Sequence, residues 1–447
     1  MMGAPMSADL KALHAKYVLS PWAAQAALAA PVIVRGEGSY LFDSDGKKYL
    51  DLASGLIAVN LGHGHPKVVK AIQDQAATLC YAAPSLFNDK RAELAAELSA
   101  ISPWVGEGAR SFFTTAGADA NDDAVRIARA VTGRSKVMTA YRSFHGASGG
   151  AIALTGEDRR WGGEPGVPGI VRFFAPYPYR SPFHATTPAE ECDRAIEHLE
   201  RILMHEDPKR VAAILIEPVV GSNGVIIYPD GYLQALRKLT EKHGILFIAD
   251  EVMTGFGRTG TAFASQRFGL VPDLITFAKG VSSAYVPLGG VMVREKYATS
   301  FDTRALTSGH TYSGHPLSMA AGLATLRAYK EDKIFEGVAA IEEQLRTGLD
   351  AIAAKHRTVG DVRGIGAFFA IELVKDKATK EPLVAWQGEG GLGVMKGLYG
   401  ELRSRGVYTF GRYNTTMVAP PLTASHAEIA EGLKALDESL TAFEATL

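Results

Sequence analysis

Short apolar runs alternating with amphipathic helical stretches constrain this chain more than any other feature of its sequence. From about Pro66 the order is KVVKAIQDQAATL, SFFTT, DDAVRIARAV, KVMTA, VAAILIE, a helical stretch after Gly231, ILFIA and DLITFA. Apolar runs without polar alternation fit strands buried on both faces, so the expected fold class is α/β, with a mostly parallel central sheet covered by helices in a large domain. The segment Val34 to Leu52 alternates apolar and polar residues around Asp45-Gly46 and reads as a hairpin in a peripheral layer. After about Leu317 come long amphipathic helices, the run IGAFFAIEL, a short strand pair and a closing helix from about Ala424. The expected division is 1–65 as the N-terminal segment of a smaller α+β domain, 66–316 as the large domain, and 317–447 as the C-terminal part of the small one.

Charge and cysteine usage narrow the partners. Lysine plus arginine number 47 against 48 acidic residues, a formal charge of −1, so no basic footprint points to nucleic acid or an anionic membrane. Small neutral or zwitterionic partners fit better. Cys80 and Cys192 lie far apart and form no CxxC, which argues against a disulfide framework and a thiolate metal site and makes a cytoplasmic location the expectation. Charged residues interrupt the first 32 positions, as they would not in a signal peptide or a spanning helix. His63 and His65 have an HxH spacing without a third ligand, and Pro66 beside them favours turn and cap roles, so no metal is expected. No Gx4GKS loop and no GxSxG elbow occurs.

Ligands of open α/β sheets bind outside the carboxyl ends of the strands. Asp250 follows the run ILFIA, and Lys279 follows LITFA with no acid between Asp273 and Glu295 to pair it. A lysine at a strand end is, taken alone, an ordinary surface residue. Together, a strand-end lysine and a strand-end aspartate meet the needs of pyridoxal phosphate: an amine for a Schiff base and a carboxylate that keeps the pyridine nitrogen protonated. The stretch SFFTTAGADANDDAVRIARAV adds a strand, a small-residue turn at Ala116-Gly117-Ala118 and a helix whose N-terminus suits a phosphate. An ordinary strand–turn–helix joint would read the same way.

In combination, ADEVMTGFGRTG with Asp250, FAKG with Lys279, FHG at Phe144 to Gly146, GHTYSGHP at Gly309 to Pro316 and APPL at Ala419 to Leu422 resemble the class III, or ω-type, pyridoxal-phosphate aminotransferases of fold type I. The resemblance runs from about residue 30 to the last helix. It implies pyridoxal 5′-phosphate as cofactor, with Lys279 forming the Schiff base and moving the proton, and Asp250 pairing with the pyridine nitrogen. It further implies that Val252 packs on one ring face, Phe144 stacks on the other with His145 beside it, and Glu217 lies near the cofactor. Gly117 and Ala118 would offer backbone N–H groups to the phosphate; the usual family cup carries two more hydroxyls than Ala116-Gly117-Ala118-Asp119. Thr311 would reach the phosphate of a neighbouring subunit, making a homodimer with a composite active site, possibly within a tetramer.

Every turnover of such an enzyme admits an amine donor and a keto acid, so the pocket needs an anion-binding group that serves one and yields to the other. Arg412 is the candidate for the carboxylate, with a solvated surface arginine as the alternative, and Ile57 and Phe87 are candidate substrate-lining residues. LTGEDRRWGGEPGVPGIVRFF, SSAYVPLGG and the YTF near Arg412 look most like the branch acting on taurine and related ω-amines. The expected reaction is transfer from an ω-amine such as taurine or β-alanine to pyruvate. Alternatives are a taurine or 4-aminobutyrate enzyme using 2-oxoglutarate, or a class III aminomutase or decarboxylase. A regulator that kept the fold is disfavoured because both Lys279 and Asp250 are present.

Overall fold

The computed structural model describes residues 7–386 and 393–447. Residues 1–6 of the expected N-terminal segment and 387–392 of the C-terminal one lie outside the described residues.

The N-terminal layer forms around its turn. β1 (Ile33–Glu37) and β2 (Tyr40–Asp43) pair antiparallel, as do β2 and β3 (Lys48–Asp51). The chain reverses before β3 because Asp43 Oδ1 accepts the N–H groups of Asp45 at 3.0 Å and Lys47 at 2.8 Å, and because Gly46 takes φ 82°.

Five strands of the large sheet fall where the apolar runs predict, and two, at Ile170–Phe173 and Gly289–Arg294, were not expected. In chain order the strands are β4 (Ala109–Thr114), β5 (Lys136–Ala140), β6 (Ile170–Phe173), β7 (Val211–Ile216), β8 (Leu246–Asp250), β9 (Leu274–Phe277) and β10 (Gly289–Arg294). Their order is β4-β10-β9-β8-β7-β5-β6, with β10 antiparallel to both neighbours and the other pairs parallel. β7, β8 and β9 are buried along their whole length, which explains why they alternate no polar residues. Phe247 and Phe277 lie in the core on one side of the sheet, and each stabilises the fold by about 1.5–3 kcal/mol through burial. Helix Gly117–Thr132 leaves β4 and crosses the face of the sheet to reach β5, so its first turn arrives beneath the carboxyl end of β8.

The C-terminal part contributes β11 (Val359–Ile365), β12 (Phe368–Asp376), the short β13 (Glu381–Pro382), β14 (Val407–Tyr408), β15 (Gly411–Arg412) and β16 (Thr415–Val418). β14 pairs parallel with β3, so the N-terminal layer is completed by a strand from near the other end of the chain. Leu50 and Leu52 share one apolar cluster with Leu345, Phe369, Leu436 and Phe443, and this common core is what ties both termini into one layer.

Arg258 joins these parts. Fully buried, it donates to the carbonyls of Ala367 at 2.9 Å and Pro420 at 2.6 Å, to Asn60 Oδ1 at 2.7 Å and to Ser54 Oγ at 3.2 Å. A planar, forked donor can satisfy acceptors from three chain segments at once, which an ammonium cannot.

Candidate active site

Two strand ends set the chemistry. Asp250 closes β8, is 3% exposed, and accepts three hydrogen bonds. Its Oδ2 takes Asn121 Nδ2 at 2.8 Å and faces His145 Nδ1 at 2.7 Å, while Oδ1 takes the Val252 N–H at 3.0 Å. The other ring nitrogen of His145, Nε2, lies 3.1 Å from Thr139 Oγ1, so the imidazole is held at both ends. Asn121 is fixed in turn by its donation to the His145 carbonyl at 2.7 Å and by the Thr276 hydroxyl at 2.8 Å. Oδ1 of Asp250 is thus left with acceptor capacity. The other acid of the DE pair, Glu251, turns away: it caps the short helix after Phe263 through the Ala264 and Ser265 N–H groups at 2.9 and 2.7 Å.

Lys279 follows β9 in a left-handed backbone conformation, φ 49°, that a non-glycine residue adopts only under constraint. Its amine makes no hydrogen bond to a described residue, and burial pulls it from the ordinary lysine value down to about 8. The fields of Asp250 and Glu217 oppose that fall, and those of Arg159 and Arg258 add to it. Glu217, at the end of β7, accepts the N–H of Phe144 at 3.0 Å and of Gly221 at 2.7 Å. Burial, then the nearby charge of Asp250, raises its pKa, and His145 and the two N–H groups offset this only in part.

These residues fit a pyridoxal phosphate. Val252 presses so closely on the helix N-terminus that a Cβ on Gly117 would lie 2.8 Å from its Cγ1; only glycine fits there. Gly146, at φ 134°, is a second position that its neighbours keep free of a side chain, here against Ala118. Phe144 is partly covered, with the Arg159 guanidinium 3.6 Å from its ring centroid and Trp22 edge-on at 6.4 Å. Asp250, His145, Glu217, Val252, Gly117, Ala118, Phe144 and Lys279 are therefore brought to one end of the sheet.

A family profile described as aminotransferase class-III matches residues 23–440. The chain belongs to the class III aminotransferases. Among solved structures, the taurine:2-oxoglutarate aminotransferase of Bifidobacterium kashiwanohense, in complex with pyridoxal phosphate and glutamate, is 39% identical, with a TM-score of 0.96 and all of both chains covered. The 5-aminovalerate aminotransferase of Pseudomonas aeruginosa is 37% identical over 91% of this chain and 93% of that one. The taurine–pyruvate aminotransferase of Bilophila wadsworthia is 32% identical over 98% of each. This class III aminotransferase has the α/β architecture of fold type I, and its cofactor is pyridoxal 5′-phosphate.

Three further expected site residues lie apart from the cluster in the single chain. Thr311 is exposed, its carbonyl accepting from the Tyr81 hydroxyl at 2.9 Å, within a loop that packs on the segment carrying Phe87. Phe87 is fully exposed. Ile57 is 1% exposed and packed among Val219, Phe368 and Met417, while its neighbour Leu56 is turned outward. His63 and His65 face different carboxylates, Asp51 and Asp332, at 3.1 and 3.3 Å.

Arg412, on β15, is no solvated surface arginine. Its Nε pairs with Glu157 Oε2 at 2.6 Å and it also pairs with Asp158. Glu157 binds Arg159 through its other oxygen, and Arg159 donates to Ser222 Oγ at 2.9 Å. Reading by strand ends misses Glu157, Asp158, Arg159 and Ser222 because they lie on a short 3-10 helix at Asp158–Gly163, its cap and a loop, away from the ends of the strands. For Glu157, Asp158 and Arg159 the sequence offers four consecutive charges, EDRR, after a Gly. Asn121 is missed for a different reason: the turn before its helix drew attention to backbone donors rather than to the side chain one turn on.

Proposed function

We propose that this aminotransferase moves the amino group of an ω-amine donor of the taurine or β-alanine kind to a keto acid. When bound, pyridoxal 5′-phosphate supplies an aldehyde that exchanges amines and a protonated ring that accepts electrons from the amine-bearing carbon. Lys279 is the amine that holds the cofactor covalently between turnovers. At about 8 its amine is a far better base near neutral pH than an ordinary lysine, so it takes the proton from the substrate carbon and returns it. Asp250, oriented by His145 and Asn121, keeps the ring nitrogen charged. Val252 and Phe144 would hold the two faces of its ring, and Gly117 and Ala118 would offer N–H groups at a helix start to its phosphate. Thr311 completes the phosphate site of a partner copy in a homodimer.

The observation that carries this reading is the pairing of an unpartnered, depressed lysine amine with an anchored buried carboxylate at adjacent strand ends. Borohydride reduction of the holoenzyme followed by peptide mapping tests it: a pyridoxyl adduct on Lys279 is expected, and an adduct on another lysine overturns it.

Pyruvate is the acceptor first expected from the sequence, with 2-oxoglutarate as the alternative. Arg159 beside Arg412, and the 39% identity to a taurine:2-oxoglutarate aminotransferase, support 2-oxoglutarate instead, because two guanidiniums match a diacid. A panel of amine donors against pyruvate and 2-oxoglutarate decides the order. One site serving both partners gives ping-pong kinetics, with parallel double-reciprocal lines.

A further inference from the structure

We propose that Tyr329 is a positioning residue for Lys279: its hydroxyl, fixed on the Gly280 carbonyl, keeps the Lys279 backbone left-handed, with Asn60 and Leu61 as the wall behind the turn. The inference rests on the role given to Lys279 above and adds the groups that hold it in place.

Lys279 opens a single turn of 3-10 helix, Lys279–Val281, in a strained stretch of chain. Lys279 takes φ 49°, Ser283 48° and Ala284 60°, so three left-handed non-glycine residues fall within six positions. Residues with a Cβ occupy that region only where their surroundings over-determine it. The hydrogen bonds inside the turn are long. The N–H groups of Ser282 and Ala284 reach the Lys279 carbonyl at 3.3 Å, and that of Ser283 reaches the Gly280 carbonyl at 3.2 Å. Bonds at the long end of the normal range do not hold three unfavourable torsions by themselves.

Three contacts from distant segments supply the constraint. Tyr329, on the helix Pro316–Glu331, donates its hydroxyl to the Gly280 carbonyl at 2.7 Å, shorter than any of those bonds, and both groups are buried. Asn60 closes the other side of Gly280: a Cβ there would lie 2.6 Å from Asn60 Nδ2 and 2.9 Å from Phe256 Cβ. Asn60 is itself pinned, since its Nδ2 donates to the Phe256 carbonyl at 2.9 Å and its Oδ1 accepts from Arg258 at 2.7 Å. Next in the chain, Leu61 donates its N–H to Ser283 Oγ at 2.9 Å. Gly280 is thus gripped by a hydroxyl on its carbonyl and an amide against its α-carbon, and Lys279 is the residue whose torsion that grip sets.

The chemistry needs such a grip. One amine both holds the cofactor and carries the proton, so it must return to the same place after each departure. With the backbone fixed, only side-chain torsions move. Burial chiefly, and with it the field of Arg258 in the same network, keeps that amine below the ordinary lysine value.

Tyr329→Phe in the holoenzyme tests this, because it removes the hydroxyl and keeps the ring that packs on Phe335 at 5.2 Å. kcat is expected to fall roughly ten- to a hundredfold, the range for a reacting group misplaced by about an ångström, with KM for both substrates and the cofactor Kd within about twofold. The acidic limb of the kcat–pH profile is expected to move to higher pH, as the amine leaves its buried place and regains an ordinary basicity. A crystal structure of the variant is expected to show Lys279 outside the left-handed region. Asn60→Ala, which removes the wall and keeps the hydroxyl, is measured in parallel in case Tyr329→Phe does not fold, and is expected to shift kcat and the pH profile in the same directions. A Tyr329→Phe enzyme that unfolds at lower urea yet keeps kcat and its pH profile overturns the inference and leaves Tyr329 a core residue, as does a variant structure with the Lys279 backbone unchanged. Borohydride labelling of a lysine other than Lys279 in the wild type overturns instead the reading on which the inference rests.

Discussion

Lys279 is held where its protonated form is disfavoured, and that has a thermodynamic signature. Its folded value, about 8, lies below the ordinary lysine value of 10.5. Between those limits the unfolded chain binds more protons, so this group makes the apoprotein more stable as pH rises through that window; below about 8 the native state carries the full cost. Lys279→Met is therefore expected to stabilise the apoprotein by about 1–3 kcal/mol near pH 7, with the gain vanishing above the ordinary lysine value. Urea midpoints at both ends of the range check it, and a gain independent of pH would contradict it. Asp250→Asn tests the opposite charge. The amide still accepts from one neighbour, but it can neither balance a ring cation nor accept from both Asn121 and His145 at one oxygen as strongly. Proton transfer in the amine half-reaction is expected to slow by about 10²–10³-fold with the fold retained. Stopped-flow spectra of that half-reaction at a near-normal rate would show that the carboxylate serves something else.

Elements position these residues through their ends rather than their middles. β7, β8 and β9 place Glu217, Asp250 and Lys279 side by side because parallel neighbours end together, and helix Gly117–Thr132 delivers Asn121 to the same edge. The reach of Arg258 across Ser54, Asn60, Ala367 and Pro420 locks the loop after β8 onto the two terminal segments. Arg258→Met is expected to destabilise the protein by about 2–5 kcal/mol, because buried carbonyls lose their donors. Arg258→Lys should recover only part of that, since an ammonium lacks the fork. Denaturant unfolding of both variants measures the difference; full rescue by lysine would mean that charge alone matters at this position.

At the scale of the whole molecule, exposed apolar side chains gather around Thr311. Tyr81 and Tyr312 stack edge-on at 6.2 Å, Arg91 ties Leu86 to Gly314 through their carbonyls at 3.1 and 3.3 Å, and Phe87 projects fully into solvent. We propose that this patch is a homodimer surface whose burial brings Thr311 to the partner's phosphate site. Phe87→Asp is expected to shift sedimentation from dimer toward monomer and to loosen the cofactor together with it. A monomeric wild type that retains full cofactor affinity would overturn the composite site. Among the described residues no helix is long and apolar enough to cross a membrane.

Local periodicity and the positions of strand ends account for the part of this protein that was legible without coordinates. Uninterrupted apolar runs dictate strands buried on both faces, and in a parallel sheet the residues that follow such runs are the first candidates for a site, which is how Asp250 and Lys279 are read from the chain alone, whereas Glu217 comes from the family resemblance. The small-residue turn at Gly117 was legible for the same reason: only backbone that can approach closely opens a helix toward a ligand. Tertiary structure decided whatever depends on segments distant in the chain. Nothing local tells what Glu251 holds, since its partners Ala264 and Ser265 lie beyond the next loop. Nothing local turns Ile57 inward and Leu56 outward, a choice made by packing against Val219 and Met417. The union of β14 with β3 and the clamp of Glu157 on Arg412 both join segments hundreds of residues apart. Such contacts exist because folding closes those long loops at a modest entropic cost. Periodicity records only which face of an element is buried, and leaves open what lies on the other side.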